Sequence, residues 1–437
     1  MTSVLYKRVD NSPLILFRIC FGFLIAAEAW GAVFTGWIKK TLIDPQFTFN
    51  FIGFDFLQPL PGDGMYVYYG IMGLAGLFVM LGFKYRLSII LYTIMWTAVY
   101  LMQKSSYNNH YYLLILLLVF MAIVPAHRYK SIDVKLNPKL QAYDMPNWVL
   151  IFIIAQLWIV YTFASIAKLY PDWLDGTVAR MLMAPKAHFY VVGDLLQQEW
   201  VHHCIAYFGI VFDLLIVPLL LWKKTRNAAF FVSIFFHLFN SFIFHIGIFP
   251  YMSLAFTVFF YPTKFIRDRF LKSKPYYDGQ EVIIPSKHRL LTAFIVVWLG
   301  VQVVLPLRHW FIKGDVLWTE EGHRMSWRMM LRTKSGRTSF KIINKTTQDS
   351  FYVQKNNYLT TKQHKMMSKP DGIWQFCQLL KKEYADKNEE IEIYVNAMVS
   401  VNGSEFKPLI DKSYNMANAE WDYFFHNKWV LLHDDDE

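Results

Sequence analysis

The stretch WVLIFIIAQLWIVYTFASIAKLYPDW, residues 148–173, decides the fold class. Twenty residues from Trp148 to Ala167 carry no charge, and the run ends in Lys168, Pro171 and Asp172. At the helical rise of about 1.5 Å per residue, such a run matches the roughly 30 Å hydrocarbon core of a bilayer. The lysine at its end has two readings. It can snorkel its ammonium to the headgroups, as lysines at span ends do. It can also sit in a dry pocket, give up its proton and act as a base. Taken alone, the stretch leaves both open.

The rest of the chain repeats the pattern. Of 437 residues, 55% are hydrophobic and 18% aromatic, too apolar for a water-soluble protein of this length. Segments 13–36, 64–83, 87–103, 111–126, 147–167, 201–222, 227–247, 250–262 and 289–307 read as spans, with Pro and Gly at most boundaries. The run near 250–262 is short and reads as a partial or tilted span. The net charge of +11 is placed asymmetrically. Lys7 and Arg8 precede the first span. Lys84 and Arg86, Arg128 and Lys130, Lys223 and Lys224, and a cluster from Lys264 to Arg289 fill the even-numbered connections. By the positive-inside rule the N-terminus is cytoplasmic and, after nine spans, the C-terminus lies outside. The charge therefore orients the chain, and no nucleic-acid partner is expected. The N-terminal run is too long for a cleaved signal and reads as a retained first span. Cys20, Cys204 and Cys377 form neither a disulfide framework nor a metal-spaced set, and His202-His203-Cys204 points apart on a helix, so no metal is expected.

After residue 308 the composition becomes that of a soluble domain. EIEIYVNAMVSVNGSEF, residues 390–406, alternates with period two and contains Asn402-Gly403, a hairpin turn signal. Residues 371–385 read as a helix, and the terminal HDDDE as a solvated tail. The expected architecture is mainly α: a polytopic helical membrane bundle of about nine spans over residues 1–307, then a small extracytoplasmic α+β domain over 308–437. Sequons at Asn344 and Asn402 would matter only in a eukaryotic secretory pathway.

Ionisable groups inside spans are costly and so are functional candidates. Asn108, Asn109 and His110 fall in the outer turn between spans three and four. In span seven, His237, Asn240, Ser241 and His245 are spaced i, i+3, i+4, i+8 and share one helical face. Tyr161, Ser165 and Lys168 do the same in span five. Arg18 and Glu28 of span one read as a structural pair. The stripes converge on the outer half of the bundle, as in a chamber with an aqueous mouth and an apolar base.

At these residues the sequence resembles the vitamin K-dependent gamma-glutamyl carboxylase family, within the larger group of HTTM membrane proteins. The resemblance runs from about Ser12 to Trp429. It is carried in order by LFRICFGFL, PLPGDGMYVYYGIMGLAGLFVMLGFKYR, SSYNNHYYL, IVYTFASIAKLYPDW, FFHLFNSFIFHIGIFPY, SWRMM and NAEW. The resemblance implies two coupled reactions. Vitamin K hydroquinone (menaquinol or phylloquinol) is oxidised with O2 to the epoxide through a strongly basic alkoxide. That base removes the γ-proton of a glutamate side chain, and the carbanion takes up CO2.

The resemblance further implies that Lys168 is the base, beside His110 and Asn109. Tyr161, His237, Asn240, Ser241 and His245 are expected to hold the quinone, and Trp327, Arg328 and Arg332 a glutamate-containing peptide or protein. Departures fall mostly outside the spans. Phe49 stands where the family has a cysteine paired with the one at Cys377. Arg328 replaces an aspartate, and Arg332 a histidine. Ala167 precedes Lys168 where the animal enzyme has a second lysine. Two alternatives follow: an epoxidase that no longer carboxylates peptides, and a quinone- or lipid-binding membrane protein with no enzymatic activity.

Overall fold

A computed structural model describes residues 2–279 and 281–433. The HDDDE tail from Asp434 onward lies outside the described residues. Each of the nine apolar segments is helical: α1 Ser12–Phe34, α2 Gly64–Leu81, α3 Tyr85–Met102, α4 Asn109–Ile123, α5 Trp148–Ile166, α6 Glu199–Leu221, α7 Arg226–Phe244, α8 Phe249–Phe256 and α9 His288–Leu307. Among the described residues, seven helices are long and apolar enough to cross a membrane; α4 and α8 are the shorter apolar ones. The boundaries have local causes. Pro13 sits in the first turn of α1, where a missing N–H costs nothing. The Asn108 Oδ1 accepts from the Tyr111 N–H at 2.8 Å and starts α4. Gly82, left-handed with φ 63°, ends α2.

The connections sort into two ends. At the first end, strands β1 (Arg8–Asp10) and β2 (Asp144–Pro146) pair antiparallel and Arg8 meets Asp144. Lys274 Nζ lies 2.6 Å from Asp10. Arg18 donates to the Lys130 carbonyl at 2.6 Å, and Asp133 accepts from the Lys84 N–H at 2.7 Å. Tyr261 reaches Asn227 at 3.0 Å. This end collects the N-terminus and the four basic connections. The other connections meet the C-terminal region instead. Lys362 donates to Thr41, Gln375 to the Asn50 carbonyl, and Asn402 to Asp172 at 2.9 Å. The α1–α2 and α5–α6 connections therefore lie opposite the basic end, while α8, eight residues long, covers only part of the distance between the ends.

The C-terminal region is a four-stranded antiparallel sheet in the order β4-β3-β5-β6, with β3 Lys334–Asn344, β4 Ser350–Tyr352, β5 Ile391–Val401 and β6 Lys407–Pro408. Phe340 and Ile342 face Val395 and Ile393 across the two long strands, and alternate residues are buried. Asn402 and Gly403 both have positive φ, as a tight hairpin demands. Helix α10 (Pro370–Ala385) buries Ile373, Phe376, Cys377 and Leu380 in a core that also takes Phe49 from the α1–α2 connection. Two readings need correction. Arg18 and Glu28 do not pair: ten residues separate them, about 15 Å along a helix, and Arg18 belongs to the basic end. Asn344 and Asn402 are both buried and bonded, to Glu389 and Asp172, so neither sequon presents a free amide.

A charged cluster is one of the ties between the two regions. Lys104, between α3 and α4, lies 2.5 Å from Asp371 of α10, whose carboxylate also takes Arg324 at 2.8 Å. Burial pushes the Lys104 ammonium down to about 8 despite its partner. Burial pushes the Asp371 carboxyl up, but Arg324 and Lys104 outweigh it and hold the group below its usual range. Asp371→Asn would strand two buried cations, a change that costs roughly 3–5 kcal/mol. The expected result is a lower unfolding temperature in detergent and faster proteolysis after residue 308. Because the folded carboxyl titrates below its unfolded value near 3.9, its contribution is complete above that pH and fades as pH falls further. The gap between wild type and variant should therefore persist from pH 7 to 5 and narrow only in stronger acid. Equal stability at pH 7 would show that the cluster does not hold the regions together.

Candidate functional site

Lys168 does not reach for the headgroups. It is 7% exposed, and its Nζ turns inward to lie 2.6 Å from Asp213 Oδ2 and 2.8 Å from the Ala164 carbonyl. Helix α5 ends at Ile166, so the backbone at Lys168 is free to turn the side chain toward α6. Gly209, one turn before Asp213, faces this pair: a Cβ there would stand at ordinary contact distance, 3.8 Å, from Lys168 Cε and from the Trp173 ring. The Trp173 face lies 5.6 Å from the ammonium. A buried lysine and a buried aspartate thus form an ion pair with no net charge.

The pair lines a cavity of about 110 Å³ that also takes His110, Tyr161, His237, Asn240, Phe236 and Phe249. Tyr161 Oη and His237 Nε2 are 3.1 Å apart, which fixes the imidazole across the cavity from α5. The His110 ring stacks on Phe249 with centroids 3.8 Å apart. One wall is therefore polar and charged, the other aromatic. That lining suits a flat ring bearing hydroxyls and an apolar substituent.

The sequence candidates divide here. Lys168, His110, Tyr161, His237 and Asn240 come together. Asn109 does not face this cavity: its amide donates to the Arg328 carbonyl at 2.8 Å, and its oxygen accepts from Tyr107, so it braces the loop that covers the site. The polar face of α7 splits. Ser241 bonds Tyr251 on the outside, and His245, left-handed past the helix end, lines a second chamber of about 670 Å³ with Glu28, Asn108 and His110. Trp327 is 1% exposed and stacks on Tyr112, a packing role. Arg332 is already held by Glu320, which also takes Lys334 at 3.7 Å. Burial pushes Glu320 up, but Arg332 and Lys334 outweigh it and hold its carboxyl well below the usual range. Arg328 alone of the three faces a cavity, of about 230 Å³, with His309, Ser326 and Tyr170.

Asp213 was missed by sequence reasoning, although a signal was present. It is the one acidic residue in the run 201–222, and a lone carboxylate in a span calls for a partner. Among the described residues no cluster of three His, Cys, Asp or Glu side chains has metal-binding geometry.

A bundle of apolar helices around a buried ion pair, capped by an α+β region, defines a polytopic membrane protein with an internal polar site. Residues 6–265 match the HTTM domain, more than half of the chain, and the protein belongs to the HTTM family. Residues 287–436 match the vitamin K-dependent gamma-carboxylase, lumenal domain. Together the matches agree with the carboxylase resemblance and support a vitamin K-dependent gamma-carboxylase-like function. No solved structure matches the chain.

The ion pair has a direct test. Asp213→Asn leaves a buried ammonium without its counter-charge and is expected to cost roughly 3–5 kcal/mol, whereas removing both charges with apolar residues is often neutral. Thermal unfolding in detergent should therefore find Lys168→Met/Asp213→Leu more stable than Asp213→Asn. A double variant less stable than either single one would contradict the coupling.

Proposed function

We propose that the protein is a vitamin K-dependent gamma-glutamyl carboxylase-like enzyme in which Lys168 is the base. The observation that carries this reading is the Lys168–Asp213 contact on the wall of a cavity shared with His110 and His237. Passing the shared proton from Nζ to Oδ2 leaves a neutral amine at the cavity and a neutral acid behind it. No net charge is created in a dry site, so the step avoids the desolvation that isolated charges incur. The amine then accepts the proton of a quinol hydroxyl.

The lining supports a quinol there. Phe236, Phe249 and Trp173 offer ring faces, while Tyr161 with His237, and Asn240, offer hydrogen bonds. His110, pinned against Phe249, stands at the edge where a small gas such as CO2 or O2 meets the reacting ring. Vitamin K hydroquinone, when bound with O2, supplies the strong base that removes the γ-proton of glutamate before CO2 adds.

The peptide carboxylate has a natural anchor in Arg328. Its Nη1 lies 3.3 Å from His309 Nε2, and its Nε has no hydrogen-bond partner among the described residues. The cavity it faces includes Ala167, so it adjoins the Lys168 backbone. A guanidinium with free donors is suited to a carboxylate. In this reading residues 1–307 form the catalytic membrane domain and 308–437 the peptide-presenting one. The basic end and the N-terminus face the cytoplasm, and the C-terminal domain lies outside.

The test is incubation of purified protein with vitamin K hydroquinone, oxygen, labelled bicarbonate and a glutamate peptide. Epoxide and labelled peptide are expected together. Lys168→Ala should abolish both, by at least the roughly 10²–10⁴-fold that a general base supplies. Lys168→Arg should fail equally, because guanidinium keeps its proton. A folded variant that epoxidises at near wild-type rate would return Lys168 to a structural role. Epoxide without label would leave an epoxidase, and neither product a binding protein.

Arg328→Ala should raise the peptide KM far more than the quinol KM. Equal changes in both would remove Arg328 from the peptide site.

A further inference from the structure

The larger chamber has no part in the chemistry above, yet it touches the reacting cavity. His110, Phe244, Ile246 and Met330 line both. The partition is thus made of side chains rather than of packed helices.

Its mouth lies on the lipid side of the bundle. Ala27, Gly31 and Thr35 form one rim, spaced i, i+4, i+8 along α1. The same helix face carries Phe23 and Phe34, 60% and 85% exposed, which in a span is the face turned to hydrocarbon. The opposite rim is the break after α7, from Phe244 to Gly247, next to the outward-facing Phe242. Behind the mouth stand Trp37, Tyr69, Trp96 and Tyr111, all aromatic. Glu28 is the acidic group within, accepting from the Tyr111 hydroxyl and the Ile248 N–H. Gly247, left-handed, lets the backbone pass over that carboxylate; a Cβ there would stand 3.5 Å from it.

Gly31 shows that the rim is open space. A Cβ built at this position meets nothing within 4 Å, and its φ is ordinary. By contrast, Gly22 and Gly73 of the α1–α2 contact would put a Cβ 2.3 Å and 2.1 Å from their neighbours.

We infer that this chamber is a side entrance from the bilayer for a quinol with a long apolar tail. The inference rests on the quinol reading of the Lys168 cavity. The ring passes Glu28 and the His110–Phe249 pair to reach Lys168, and the tail stays in the mouth between Gly31 and Phe244, still in contact with lipid. The reason for a lateral route is energetic. Each methylene favours hydrocarbon over water by about 0.8 kcal/mol, so a prenylated quinol dissolved in the membrane has no cheap path through the aqueous end.

Gly31→Leu places bulk in the mouth at a position where a Cβ meets nothing within 4 Å. With the full chain in lipid nanodiscs, KM is measured for a long-tailed quinol and for a short-tailed, water-soluble one. The expected result is that the ratio of the two KM values, long over short, rises about tenfold, near 1.4 kcal/mol of selective exclusion. An unchanged ratio in a folded variant overturns the entrance and leaves the Lys168 chemistry standing. A second measurement does not depend on turnover. Cysteine placed at position 31 is alkylated and read by peptide mapping. Protection by the long-tailed quinone and not by the short one is expected. Equal protection by both, or by neither, overturns the entrance, whereas absence of epoxidation with tail-specific protection removes the chemistry but keeps the entrance.

Discussion

The ion pair between Lys168 and Asp213 is the constraint around which the membrane region is arranged. Neither charge can be left alone among apolar helices, so α5 and α6 must meet at this depth and in this rotation. Meeting there, they carry Tyr161 toward His237 and so fix α7 as well. The α7–α8 turn then lays Phe249 on His110 of α4. Three helices are thus set relative to one another by polar contacts, and α4 by a ring stack, in a region where burial of apolar surface gives little direction, since lipid is as apolar as a leucine side chain.

Much of this was legible from the residues. Apolar runs marked all nine helices, seven of which are of membrane length, and the Asn402-Gly403 turn marked the hairpin. The spacing of His237 and Asn240 put them on the face that lines the cavity. The failures share a cause. A helical wheel assumes that the helix continues, and α7 stops at Phe244, which sends His245 to a different chamber from His237. Arg332 looked free because Glu320 lies twelve residues earlier in an irregular segment whose path no periodicity encodes. Asp213 was overlooked because its role depends on a contact between two helices, and depth along one span does not reveal its partner on another.

The C-terminal region is more than a cover. Its loop 324–332 reaches into the mouth of the bundle: Arg324 joins the Lys104 cluster, the Met325 N–H donates to Tyr107 at 2.6 Å, and the Arg328 carbonyl is held by Asn109. Tyr170, just past Lys168, donates to the Leu331 carbonyl. The loop that presents Arg328 is therefore anchored to the same helix ends that carry His110 and Lys168.

Chain order matters for how the ion pair comes to exist. Asp213 sits near the middle of α6, where an unpartnered carboxylate adds roughly 2.5–3.5 kcal/mol to the cost of insertion. The remainder of α6 offsets this: its mean hydropathy of 2.4 is the highest of the seven long spans. Lys168 belongs to the preceding span and is already in place when α6 leaves the ribosome. The acid therefore enters a membrane in which its base is waiting.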